Sequence, residues 1–152
     1  MSAISYREAV KQDIPFLAAL RSAEWEYGQY WKDRITGYMN STHHPQQSLL
    51  PRIIFVACEG ENIIGFIAGH LTRRYQCEGE LQWIDVAEGF RRKGIASAMV
   101  KLLAAWFVEM HAYRICVDPG NEEARKFYSA NNAATLNEHW MFWGDIRKQL
   151  KK

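Results

Sequence analysis

Residues 90–99 read FRRKGIASAM: three adjacent cations, Arg91, Arg92 and Lys93, then Gly94, then small and apolar residues that open a helix. The first turn of a helix leaves backbone N–H groups unpaired, and the macrodipole adds about half a positive charge there. A glycine at that turn lets a ligand approach the main chain, so a phosphate is a natural guest. A solvated basic turn and a nucleic-acid patch compete with this reading, and three cations taken alone favour the solvated turn. The stretch has neither the Gly-Lys-Ser/Thr of a nucleotide P-loop nor the Gly-x-Gly-x-x-Gly of a dinucleotide site. A second chemistry-bearing stretch is EWEYGQYW (24–31), where Trp25, Tyr27, Tyr30 and Trp31 stand beside Glu24 and Glu26. Aromatic faces with carboxylates suit a cationic amine; an amphipathic helix covering a sheet would carry the same aromatics. His43 and His44 have no third ligand at metal spacing, so no metal is expected.

The elements that must hold these residues fit in one domain, 1–152, long enough to bury a core without metal or disulfides. The net charge of +2 is too small to imply a polyanionic partner, and no aromatic–basic strand pattern appears, so no nucleic-acid partner is expected. Cys58, Cys77 and Cys116 are odd in number and form no CxxC pair, which argues against a disulfide framework and fits a reducing compartment. The start, MSAISYREAV, has no apolar leader and no run of about 18 apolar residues follows, so a cytoplasmic location without a membrane partner is expected. A homodimer is left open.

Alternation over 4–10 predicts a short strand. Asp13 as N-cap and Pro15 in the first turn predict a helix with Ile14, Leu17 and Leu20 or Arg21 on its buried stripe. A second helix is expected over 30–39, then a loop over 40–51. Strands over 52–59 and 62–74 form a hairpin, with Gly65 and Gly69 marking bulges or close backbone approach. A strand over 80–88, a helix over 94–111, a strand over 113–118, a helix over 119–132 and a strand over 139–145 follow, before a solvated basic tail at about 147–152. The order predicts a mixed α/β, α+β-like fold: a six- to seven-stranded mixed sheet flanked by about four helices, antiparallel first and with a strand–helix–strand crossover later.

Against that order, Arg91-x-x-Gly94-x-Ala96 resembles the Gln/Arg-x-x-Gly-x-Gly/Ala motif of the GNAT superfamily of acyl-CoA-dependent N-acyltransferases. Val86 stands five residues before the arginine, where that family often ends its fourth strand. Asn121-Glu-Glu-Ala124-Arg-Lys-Phe127-Tyr128 resembles the family's Asn-x-x-Ala-x-x-hydrophobic-Tyr segment. Two motifs at the right separation on the right elements turn the generic anion site into an expected CoA site at the junction of strand 80–88 and helix 94–111. The family's Gly-Phe after its tyrosine is Asn132-Ala133 here; Asn tolerates the left-handed conformation, so the turn is expected to persist.

The resemblance implies acetyl-CoA as co-substrate. The backbone from Arg92 to Ser97, through Lys93, Gly94, Ile95 and Ala96, would hold the pyrophosphate beside Arg91. Ile84 and Val86 would pair with pantetheine, and Asn121 would contact the cofactor arm. Tyr128 resembles the general acid beside the CoA sulfur. Glu80, eleven residues before Arg91, matches a glutamate base of the histone-acetyltransferase branch. In a regular strand Glu80, Gln82 and Ile84 share one face and Asp85 the other. A bulge would reverse that parity, which keeps Asp85 as a fallback base. A base is useful because an alkyl amine with pKa ~10.4 is mostly protonated at about pH 7. Cys116 reads as a small buried residue rather than a nucleophile. The acceptor, a small-molecule or peptide amine, is expected against the early helices, with Trp25, Tyr30 and Trp31. The expected activity is direct acetyl transfer to a primary amine in a ternary complex; the alternative is a CoA-binding regulatory module with weak turnover.

Overall fold

The computed structural model describes residues 3–22 and 28–151. Its elements are β1 (Ile4–Glu8), α1 (Ile14–Arg21), α2 (Gly28–Met39), β2 (Ser48–Glu59), β3 (Asn62–Thr72), β4 (Gly79–Val86), α3 (Ile95–Glu109), β5 (Ile115–Val117), α4 (Glu122–Ala130), β6 (Ala134–Thr135) and β7 (Met141–Trp143). The strands form one sheet in the order β1-β2-β3-β4-β5-β7-β6, antiparallel throughout except for the parallel pair β4/β5. The mixed α/β fold is the one expected. No helix among the described residues is long and apolar enough to cross a membrane.

Helices cover both faces. One core lies under α3 and contains Ile67, Leu81, Met99, Leu103, Phe107, Ile115 and Tyr128. The other lies under α1 and α2 and contains Leu17, Ile35, Tyr38, Val56, Phe66 and Trp83. Burying β2, β3 and β4 on both faces explains their near-continuous apolar runs.

Several local details differ from the sequence reading. Asp13 does not cap α1 with its side chain. Its carboxylate accepts the Val10 N–H at 2.8 Å and is gripped by both Arg7 nitrogens at 2.7 and 3.0 Å, closing the turn ahead of the helix. The loop over 40–51 is shorter, because β2 starts at Ser48 and pairs with Thr72. The tail is not simply solvated: a 3₁₀ helix over Ile146–Leu150 buries Ile146 and Gln149, while Arg147, Lys148 and Lys151 stay exposed. Ile146 and Leu150, four residues apart among the cations, were the sequence signal for that docking. Asn132 does take φ 75°, so the turn after α4 persists without glycine.

Candidate active site

At the α3 N-terminus, the chain leaves β4, makes a 3₁₀ turn over Glu88–Phe90 and reverses through two left-handed residues, Arg92 (φ 64°) and Gly94 (φ 80°). No side chain caps α3. Its first backbone bond runs from Ala98 N–H to the Gly94 carbonyl, so the N–H groups of Ile95, Ala96 and Ser97 have no partner among the described residues. Open space surrounds Gly94 where a Cβ would stand. These are the features a pyrophosphate needs: clustered donors, a positive helix end and an unobstructed main chain. Arg91 instead turns back, donating from Nε to the Val86 carbonyl at 3.1 Å, and all three cations are exposed.

The strand leading to this turn opens away from its neighbour. The β4/β5 ladder holds only Gly79–Ile115, Glu80–Cys116 and Leu81–Val117. After Val117 the chain turns at Asp118, Pro119 and Gly120; Pro119 has no N–H to extend a ladder, and Gly120 takes φ 78°. The β5-facing edge of Gln82–Val86 therefore has no strand partner among the described residues, leaving main chain available to an extended ligand arm. Gly65 lets β3 lie close to this segment, since a Cβ there would stand 2.9 Å from the Asp85 carbonyl oxygen.

A bulge in β4 decides which of its side chains face α1 and α2 and which face α3. Ala68 pairs with Trp83 but Gly69 pairs with Leu81, which leaves Gln82 as the extra residue. Parity reverses there. Leu81, Ile84 and Val86 pack toward α3, whereas Trp83 packs toward α1 and α2. Asp85 joins that second face through Arg21 of α1, whose Nη1 lies 2.9 Å from Asp85 Oδ2. Ile84 therefore does not share a face with Glu80, contrary to the regular-strand expectation.

Tyr128 of α4 is 4% exposed, edge-on to Trp143. Burial raises its phenol well above the ordinary 10.0, Asp85 and Asp118 add to the rise, and Arg21 opposes it. The hydroxyl thus stays protonated at neutral pH and sits in the electrostatic field of the β4 opening. Asp85 is itself raised from 3.8 by burial, which outweighs the Arg21 guanidinium. Arg21 is held over the Trp31 ring at 4.6 Å and lies 5.9 Å from the Trp83 ring centre.

Glu80 sits deeper, below the opening. It is 5% exposed, accepts from Arg74 Nε at 3.1 Å and lies 3.7 Å from His70 Nε2. His70 Nδ1 is 2.9 Å from the Tyr38 hydroxyl, and Arg74 covers the Trp140 ring at 4.5 Å. Cys116, fully buried, hydrogen-bonds Cys77, which pulls the Cys77 thiol down to about 7 and pushes Cys116 up. Asn121 spends its side-chain oxygen on capping α4, accepting the Ala124 N–H at 2.8 Å. It lines a polar cleft of about 230 Å³ with Asp118, Glu122, Arg125 and His139. Tyr30 is half exposed and edge-on to Trp31. Trp25 lies outside the described residues. Among the described residues no group of three His, Cys, Asp or Glu side chains could hold a metal ion.

Asp85 thus links Arg21, with Trp31 and Trp83 beside it, to the electrostatic surroundings of Tyr128, while Glu80 lies in a separate network with Arg74 and His70. Sequence reasoning missed Arg21, Trp83 and Arg74. Their roles depend on which face β4 shows; Gly69, expected from the sequence to mark a bulge or close approach, does stand at the register shift, but it does not say which β4 residue is the extra one.

A family model described as "Acetyltransferase (GNAT) family" matches residues 16–132. No curated protein matches the sequence. Among solved structures, the chain is similar to a GNAT-family protein from Desulfovibrio desulfuricans (TM-score 0.76, 12% identity, covering 95% of this chain and 99% of that one). It is also similar to the PaiA N-acetyltransferase of Thermoplasma acidophilum in complex with coenzyme A (0.69, 15%, 92% and 97%). A third similar structure is a tyrosine-to-phenylalanine mutant of the toxin AtaT bound to the C-terminus of the antitoxin AtaR and acetyl-CoA (0.66, 11%, 96% and 95%). At these identities the likeness is one of fold.

Proposed function

The chain belongs to the GNAT acetyltransferase family, and we propose that it transfers an acetyl group from acetyl-CoA to a primary amine of a small molecule or peptide, by direct attack in a ternary complex. What carries the reading is the set of unpaired amides of Ile95 to Ser97 beyond the unpaired edge of β4, with the Tyr128 phenol acted on by Asp85 of that edge. A thioester would supply an electrophilic carbonyl and a thiolate leaving group. The chain's own part is to bind and to move protons. The α3 amides hold the anionic end, and the main chain at Ile84 and Val86 aligns the arm. The phenol of Tyr128, kept protonated by burial, gives its proton to the departing sulfur.

For the base, we favour Asp85 over Glu80. Both carboxylates are paired with an arginine, but the Asp85 side chain is 26% exposed beside Arg21, whereas the Glu80 side chain is 6% exposed beside Arg74. Asp85 accepts the amine proton directly or through a water. The acceptor is assigned no further than the primary amine, since the similar structures include a toxin bound to an antitoxin and a KacTA–DNA complex.

Two assays test this. Acetyl-CoA at about 100 times its Kd should stabilise the fold by about 2.7 kcal/mol, and no thermal shift would sink any CoA-based reading. Thiol release should then appear with some member of a panel of amino acids, peptides, polyamines and aminoglycosides. A thermal shift with no release across the panel would leave a CoA-binding module instead.

A further inference from the structure

We propose that Arg21 selects the acceptor: its guanidinium fills the cation seat made by Asp85, Trp31 and Trp83, so the site takes an amine bearing a carboxylate, an amino-acid-like acceptor, and turns away polycationic amines. This rests on the acetyl-transfer reading and names its substrate class. The aromatic and acidic residues that would receive a cationic amine do hold a cation, but it is the protein's own. Arg21 bonds Asp85 at 2.9 Å and covers Trp31 at 4.6 Å. A second cation arriving there would meet like charge, and would have to break that bond and displace the guanidinium from its ring.

The opening is also balanced. The charges acting on Asp85 are those of Arg21 and Arg91; those acting on Tyr128 are Asp85, Asp118 and Arg21. Among the described residues, two cations thus act beside two carboxylates at these groups. Arg21 meanwhile keeps unused capacity. Its Nε is buried and has no partner among the described residues. A guanidinium is a planar fork of five donors that matches a carboxylate, and an orphaned buried donor is costly until something accepts from it. An acceptor carboxylate answers that need; an ammonium cannot.

The test compares γ-aminobutyrate, n-butylamine and putrescine, primary amines of similar length that end in a carboxylate, a methyl and an ammonium, together with leucine and leucinamide. The wild-type protein should rank carboxylate above neutral above dication in kcat/KM. In Arg21→Gln, which leaves Asp85 unbalanced, the putrescine to γ-aminobutyrate ratio should rise by at least about tenfold. Arg21→Lys keeps the charge without the fork, so it should still reject putrescine and should lose part of the preference for leucine over leucinamide. Calorimetric binding of the same amines to the CoA complex reads the order without turnover. Failure to acetylate any of them would count against acetyl transfer, while the binding order would still decide the role of Arg21. A wild-type preference for putrescine, or a ratio unchanged in Arg21→Gln, overturns the proposal.

Discussion

Replacing Gly94 with alanine separates the two things its turn does. Gly94 holds φ at 80°, and nothing lies within 4 Å of where a Cβ would stand. The free protein therefore meets left-handed strain but no clash. That strain is about 1–2 kcal/mol, which for a domain of this size lowers Tm by about 2–8 °C. The second effect appears only with ligand. A Cβ occupies the space through which a pyrophosphate reaches the main chain, and relaxing the turn would re-aim the N–H groups of Ile95, Ala96 and Ser97. If affinity falls tenfold, acetyl-CoA supplied at about 100 times the wild-type Kd stabilises by about 1.4 rather than about 2.7 kcal/mol, so the ligand-induced rise in Tm should halve. Differential scanning fluorimetry with and without acetyl-CoA reads both effects. The control is the triple variant Arg91→Gln, Arg92→Gln, Lys93→Gln, run at two salt concentrations. Exposed charges act through a screened field, so the triple variant should lose less of the ligand shift than Gly94→Ala, and less still at high salt. An undiminished ligand shift in Gly94→Ala beside a large loss in the triple variant would refute the argument that backbone, not charge, makes the cradle.

Tyr128→Phe should lower kcat by about 10²-fold with the acetyl-CoA Kd within about twofold of wild type; an unchanged rate removes Tyr128 as the acid. Glu80→Gln should act mainly on stability, lowering it by about 2 kcal/mol, less than for fully buried pairs because Arg74 keeps its Gln46 and Trp140 contacts. Asp85→Asn should act mainly on turnover, and the opposite assignment of stability and rate would return the base to Glu80. Asp13→Ala should cost about 1–2 kcal/mol near pH 7. Arg7 and the Val10 N–H hold the Asp13 carboxyl below its ordinary 3.8, so its contribution is present above that value and fades as pH falls through the lower folded value. The wild-type minus Asp13→Ala difference in urea unfolding should be flat at neutral pH and shrink in acid; a difference independent of pH would refute the role.

Much of the fold was legible because it rests on local rules. Near-continuous apolar runs bounded by turn residues made β2 and β3, the spacing from Ile95 to Met110 made α3, and the Asn132 turn followed from a residue that tolerates positive φ. The uncapped start of α3 was legible for the same reason, since unpaired amides at a helix start are a property of the chain alone. Position in the sheet was not. The docking of Ile146, the two-residue strand β6 and the Asp13–Arg7 grip each depend on a partner distant in sequence or on a neighbouring turn.

The sequence by itself determined that α3 begins at a glycine turn with unpaired amides and that Tyr128 lies on a helix opening near Asn121, because both are set by residues within a turn or two of each other. Only the tertiary structure decided which β4 side chains meet α1. One extra residue in β4, Gln82, turned Asp85 and Trp83 toward α1 and brought Arg21 across 64 positions of chain to meet them. A bulge is an agreement between two strands about register, and register is not written in either strand alone.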